Sequence, residues 1–179
     1  GVAAQTRGKL RCQSRAKPRL MTELDKAYLA GIFDGEGCVG YYNATPTSSK
    51  RPAYHHAAVI ITMTDPRIIQ WVKEITGLGK VSSSIKTKPR RTAYSWCIGK
   101  KTDVIAFLSI IRPYLKLKGD QVDVLLAHFA LEADYVQRHG SVTPEIVESR
   151  QQITDTLKRM KREIVVEGVE TRRAGSSIH

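Results

Sequence analysis

Two carboxylates, Asp34 and Glu36, stand on either side of Gly35, directly after the apolar run Leu29-Ala30-Gly31-Ile32-Phe33. Acids so placed can hold a hard divalent cation through oxygen ligands. Their position is otherwise unfavourable. If the run is a helix ending at Gly35 or Gly37, its C-terminus carries partial negative charge, and a carboxylate there costs about 0.3–1 kcal/mol. The run also contains the small residues Ala30, Gly31 and Gly35, and each helical glycine gives up about 1 kcal/mol of propensity. What small residues offer in return is close approach of another backbone. A close-packing helix that ends in misplaced carboxylates suggests a metal site beside an interface. The alternative is a glycine-rich turn that holds two acids, and a motif this short fits both until its context is known.

Context begins with charge. The chain carries 29 Lys and Arg against 17 Asp and Glu, a net charge of +12, which implies a polyanionic partner, either nucleic acid or an acidic membrane surface. Residues 40–102 hold eleven basic side chains and two acids, and residues 1–20 hold six basic side chains and no acid. The surplus is thus gathered in one mid-chain block and one arm instead of along an amphipathic helix, which favours nucleic acid. No apolar run approaches the roughly 18 residues of a membrane span, so no membrane partner is expected. Cys12, Cys38 and Cys97 show neither a disulfide framework nor zinc-ligand spacing, so an intracellular, reducing compartment (cytoplasm, nucleoid or organelle) is expected. Residues 1–21 read as a flexible basic arm. It could be an organellar transit segment, a DNA-binding arm, or sequence preceding a start at Met21.

The elements that must position the acids follow from periodicity. Thr22 and Asp25 approximate a capping box, and apolar residues at Leu24, Ala27, Tyr28, Gly31 and Ile32 predict a helix over 22–35. The period then changes to two. One strand follows Gly37, with Val39 and Tyr41 on one side and Gly40, Tyr42 and Ala44 on the other; a second runs from Tyr54 to Thr64, with Val59, Ile61 and Met63 inward. Thr64-Asp65-Pro66 starts a helix that Gly77 ends. A third strand places Val81 and Ile85 inward, and a fourth, Thr92 to Ile98, places Tyr94, Trp96 and Ile98 inward. Thr102 or Asp103 caps a helix to about Arg112, and two further helices cover about 120–138 and 144–163. The last residues, 166–179, lack periodicity and read as a disordered tail, leaving one domain over 22–165. Hairpins separated by helices define an α+β fold, αββαββα, with a twisted antiparallel sheet, helices on one face, and extra C-terminal helices. The uncovered face is small, polar and basic. Such a face can simply be solvated, but the outward residues of the third strand include Lys80, Lys86 and Lys88 and no acid, which favours a DNA-binding ribbon.

Leu29 to Gly37 resembles the LAGLIDADG motif of the homing endonucleases, with five of nine positions identical. The element order and the segment Pro113-Tyr114-Leu115-Lys116-Leu117-Lys118 are similar to that family too, over about Thr22 to His139. The resemblance implies a site-specific endonuclease, of the type encoded within introns, that hydrolyses double-stranded DNA with Mg²⁺ or another divalent cation such as Mn²⁺. It implies Glu36 as the metal-binding carboxylate, with the Gly35 backbone as a further oxygen, Lys118 as the basic active-site residue, and Asp65 as either a water-ordering side chain or a helix cap. Glutamate stands where the motif has aspartate, a reach one methylene longer. Asp34 is expected to support the helix end more than to bind metal.

Only one copy of the motif is present. Cutting both strands needs two sites, so two chains must pair, and a homodimer through Leu29, Ala30, Gly31, Phe33 and Asp34 is expected, on a long pseudo-palindromic target. For DNA reading, strand alternation and the resemblance agree on Tyr42, Arg51, His56, Thr62, Ser82, Ser84, Lys86, Lys88, Arg90, Arg91 and Ser95. His55 and His56 lack companion ligands for a zinc site. A non-cleaving binder on the same scaffold, such as an intron maturase or a regulator, is the alternative; a basic RNA-binding structural protein explains the charge but not the helix ending in acids.

Overall fold

The structure, a computed structural model, describes residues 20–44, 54–87 and 90–170, with side chains described except at 85–91 and 164–170. Helix α1 (Glu23–Glu36) leads into β1 (Gly37–Ala44) and β2 (Tyr54–Met63). Then come α2 (Pro66–Thr76), β3 (Lys80–Thr87), β4 (Arg90–Ile98) and α3 (Lys101–Ile111). A single 3-10 turn (Arg112–Tyr114), α4 (Gly119–His139) and α5 (Pro144–Glu170) complete the order.

Local chemistry accounts for most of these boundaries. The Thr22 hydroxyl accepts from the Asp25 N–H, and the Asp25 carboxylate accepts from the Thr22 N–H at 2.9 Å, a reciprocal capping box. Asp65 caps α2 through the Arg67 N–H, with Pro66 at the first turn, and Gly77 ends the helix in the left-handed region at φ 65°. Helix α3 departs from expectation. Its cap is Lys100, without a side-chain bond, and Thr102 and Asp103 lie inside the first turn. Helix α5 also runs further than the periodicity implied, to Glu170, so residues 166–170 are helical and not tail.

The four strands form one antiparallel sheet in the order β1-β2-β4-β3. Register aligns Val39 with Val59 and Val59 with Ile98, and Gly37 with Ile61 and Ile61 with Trp96. Those residues face the helices, where Leu29, Phe33, Val39, Val59, Ile61, Trp96, Phe107, Leu108 and Leu125 are buried. Phe107 meets Phe33 edge-on at 5.8 Å and Trp96 at 5.0 Å, so one aromatic joins α1, α3 and the sheet. Val81, expected inward, is exposed, because β3 is an edge strand. At the other edge α5 packs along β1 and covers what would be an open strand edge.

Candidate active site and nucleic-acid face

Helix α1 has two apolar faces. Leu29, Ala30 and Phe33, expected at a subunit seam, are fully buried within the protomer and cannot meet a second chain. The exposed stripe is Leu24 (82% exposed), Ala27, Tyr28 (55%), Gly31 and Gly35, at helical spacing. Nothing lies within 4 Å of where a Cβ would sit at Gly31 or Gly35. Gly37 is different. A Cβ there would stand 2.2 Å from the Phe33 ring and 2.5 Å from the Phe33 carbonyl, so only glycine lets α1 turn directly into β1 over its own last turn.

The misplaced acids are answered by a distant segment. The Asp34 carboxylate accepts the backbone N–H of Lys116 at 2.7 Å and of Lys118 at 3.0 Å. The Lys118 ammonium donates to the carbonyls of Phe33 at 2.9 Å and Asp34 at 2.6 Å. A lysine from another segment thereby adds a second bond to the Phe33 carbonyl, which already accepts the Gly37 N–H, pairs the Asp34 carbonyl at the helix end, and offsets the negative end of the helix. Among the described residues two of its three protons are used and the third is left. Burial pulls the Lys118 pKa below the usual lysine value, against the opposing pull of Asp34, Cys38 and Glu36. Asp34 is thus a clasp within the protomer. Glu36 and Gly35 are exposed at the same helix end.

Asp65 is committed elsewhere. Its carboxylate caps α2 and holds the Arg67 guanidinium through bonds of 2.6 and 3.1 Å, and the bonds from Arg67 hold its pKa down at about 2. The geometry favours the capping role.

One residue absent from the sequence reading enters the site. Lys161 of α5 donates to Cys38 Sγ at 3.2 Å, and its charge adds a minor downward pull on the Lys118 pKa. The Tyr42 hydroxyl lies 3.8 Å from the same sulfur. Lys161 was legible only in phase. It falls on the stripe of Ile146, Ile153, Thr154, Leu157 and Met160, which packs inward.

On the sheet face away from the helices, register groups Tyr42 with His56, Thr62 with Ser95, and Ser95 with Ser82. The hydroxyls of Thr62 and Ser95 bond each other at 2.8 Å. Ser82 and Ser84 are exposed. Tyr42 lies over Gly40, half-buried, and burial first, then Cys38, pushes its phenol up to about 12. Arg51 and Lys88 lie outside the described residues, as do the side chains of Lys86, Arg90 and Arg91; in register Lys86 pairs with Arg91 and Arg90 with Thr87. His55 stacks on Tyr41, on the opposite face from His56, so the two imidazoles cannot share a metal. Among the described residues no cluster of three or more His, Cys, Asp or Glu could hold a metal alone. One carboxylate with a neighbouring carbonyl fits Mg²⁺, which keeps waters and takes substrate phosphate. Among the described residues no helix is long and apolar enough to cross a membrane.

No family sequence model and no curated protein matches the chain. Solved structures do. The homing endonuclease I-CvuI, in complex with the I-CreI target and Mg with the DNA not cleaved, matches at TM-score 0.62 and 19% identity, over 77% of this chain and 82% of that one. The archaeal intron-encoded homing endonuclease I-Vdi141I, complexed with DNA, matches at TM-score 0.61 and 13% identity, over 77% and 84%. The LAGLIDADG meganuclease I-AabMI, bound to uncleaved DNA, matches at TM-score 0.55 and 19% identity, over 73% of this chain but 45% of that one. The chain has the LAGLIDADG homing-endonuclease fold.

Proposed function

We propose that the chain is a member of the homing endonuclease family, a site-specific double-strand DNA endonuclease that works as a homodimer with Mg²⁺ or Mn²⁺. The observation that carries this reading is the end of α1. There Glu36 is exposed and its side chain makes no bond among the described residues, while Asp34 and Lys118 are fastened to each other at the same helix end. A fold needs no carboxylate left open beside a half-buried lysine; a phosphodiester hydrolase does.

Glu36 and the Gly35 carbonyl would hold the cation, which when bound polarises the phosphoryl oxygen and lowers the pKa of water. Lys118, fixed by two carbonyls, directs its remaining proton to the phosphate or the attacking water. The Asp34 clasp holds Lys118 in that place. Burial lowers the lysine pKa and so brings it nearer the range for proton transfer.

The exposed stripe of α1 serves as the dimer seam. Two copies related by a two-fold axis would set Gly31 against its mate, bring the backbones together, and place both Glu36 side chains over the two strands of one duplex. Matching 82% of I-CvuI but under half of I-AabMI supports one chain as half of such an assembly. The outer sheet face, with its Thr62–Ser95–Ser82 hydroxyl row, would lie in the major groove, and the +12 net charge would make binding steeply salt-dependent. The test is incubation with a randomised duplex library in Mg²⁺ and in EDTA, with sequencing of cut ends. Metal-dependent cutting at one long site is expected, and binding without cutting would overturn the enzyme reading in favour of a non-cleaving binder.

A further inference from the structure

We propose that Lys161, carried by α5, is a second phosphate-directed cation of the active site, and that α5 is built to deliver it. The inference rests on the nuclease reading above.

Three observations bear on it. The first is reach. His55, paired with Asn43 at the far end of β1, contacts Gln151 of α5, and Cys38 at the near end contacts Lys161. Ten helical residues rise about 15 Å, and five strand residues span about 17 Å. Helix α5 therefore runs antiparallel along the whole of β1 and arrives at the α1 end with Lys161.

The second is anchorage. Glu132 of α4 is buried and takes Lys101 of α3 at 2.8 Å and Arg150 of α5 in one ion-paired group, so the start of α5 is clamped to two helices. Leu157 is buried four residues before Lys161 and Thr154 seven before, so the same face that docks the helix turns Lys161 inward.

The third is charge. Among the described residues the other inward-turned cations of this region, Lys101 and Arg150, are ion-paired; Lys118 and Lys161 make no ion pair, and both reach the junction of α1 and β1, Lys118 at the Phe33 and Asp34 carbonyls and Lys161 at Cys38 Sγ. Two neighbouring ammonium groups repel. A fold that sets them together next to an exposed carboxylate is arranged for a polyanion, which supplies the charge the protein omits. Arginine and lysine contacts of this kind position and stabilise a phosphate.

The test uses the full chain and a duplex recovered by the wild type from a randomised library. Lys161→Met keeps the packed stem and removes the charge. Expected is a single-turnover cleavage rate in Mg²⁺ slower by on the order of 10- to 100-fold, with affinity in Ca²⁺ changed by about threefold or less. Its thermal midpoint should stay at or above that of the wild type, because one of two like charges at the junction is gone. Lys161→Arg should recover most of the rate. Lys158→Met, on the exposed side of α5, should cut as the wild type does. A Lys161→Met enzyme that cuts at the wild-type rate overturns the inference while the nuclease reading stands. So does one whose lost rate accompanies a lowered midpoint and is not recovered by arginine. A wild type that selects no cleaved site overturns both.

Discussion

Gly31 separates the two states that the helix α1 surface must serve. In the protomer its replacement by alanine meets empty space, with nothing within 4 Å of the new methyl. Relief of the glycine penalty should stabilise the protomer by about 1 kcal/mol, which for a chain of this size raises the midpoint by about 2–4 °C. In the dimer the sign reverses. Inserting a methyl into a close helix–helix contact costs about 1–3 kcal/mol, and symmetry places it there twice. Association then weakens by at least about 2 kcal/mol, roughly 30-fold in dissociation constant. The assay is sedimentation velocity over a dilution series, paired with thermal unfolding at each concentration. The wild-type midpoint should rise with concentration, as linkage to association requires. The Gly31→Ala midpoint should depend less on concentration and exceed the wild type at high dilution. Leu24→Lys, at the exposed end of the stripe, should also dissociate the dimer without the stability gain. A Gly31→Ala protein that dimerises as tightly as the wild type would place the seam elsewhere on the surface.

Asp34→Asn removes the charge from two backbone hydrogen bonds and turns an amide N–H₂ toward a donor, so chemical unfolding should show a loss of about 2–3 kcal/mol, with cleavage falling further as Lys118 is released. Glu132→Ala leaves Lys101 and Arg150 facing each other around a nearly dry site; with Lys101 partly solvated, a loss of about 3 kcal/mol is expected by denaturant titration, accompanied by faster amide exchange along α5. Burial holds the His128 pKa below its ordinary 6.5, and its Nε2 has no hydrogen-bond partner among the described residues. Its contribution to stability is therefore complete above pH 6.5 and is lost as pH falls from there through the folded pKa, since the unfolded chain binds the proton first. His128→Phe should flatten that slope in urea melts between pH 7 and 5 (a range set by the ordinary histidine pKa), and an unchanged slope would exclude His128 as its source. Gly37→Ala drives a methyl into Phe33 and should lower the melting temperature sharply, unlike Gly31→Ala.

The elements set by local chemistry were legible in the chain. Thr22 with Asp25, Asp65-Pro66 and Gly77 are signals spanning a few residues, and the strand alternation of Val39, Val59, Ile61 and Trp96 fixed which face meets the helices. Phase on α1 was not legible. Leu24 and Tyr28 stand at apolar positions like Leu29 and Phe33, so periodicity alone cannot tell the core face from the exposed one, and the expected seam mixes the exposed Gly31 and half-buried Asp34 with the buried Leu29, Ala30 and Phe33. Val81 was read as inward because alternation cannot show that β3 ends the sheet. The clasp of Asp34 on Lys116 and Lys118 joins residues more than eighty apart, and Lys161 lies further still from Cys38. Spacing carries no trace of such contacts; they exist only once the α1 end, the turn after α3 and the far part of α5 are packed together.

Glu36 is where the reading stands or falls, because its glutamate takes the place of the motif's aspartate. The direct measurement is cleavage of a selected duplex by wild type and Glu36→Gln in Mg²⁺, with affinity measured in parallel. The nuclease reading requires Glu36→Gln to lose cutting while it holds the duplex as the wild type does. A Glu36→Gln protein that still cuts, or one that loses binding and cutting in equal measure, would contradict it.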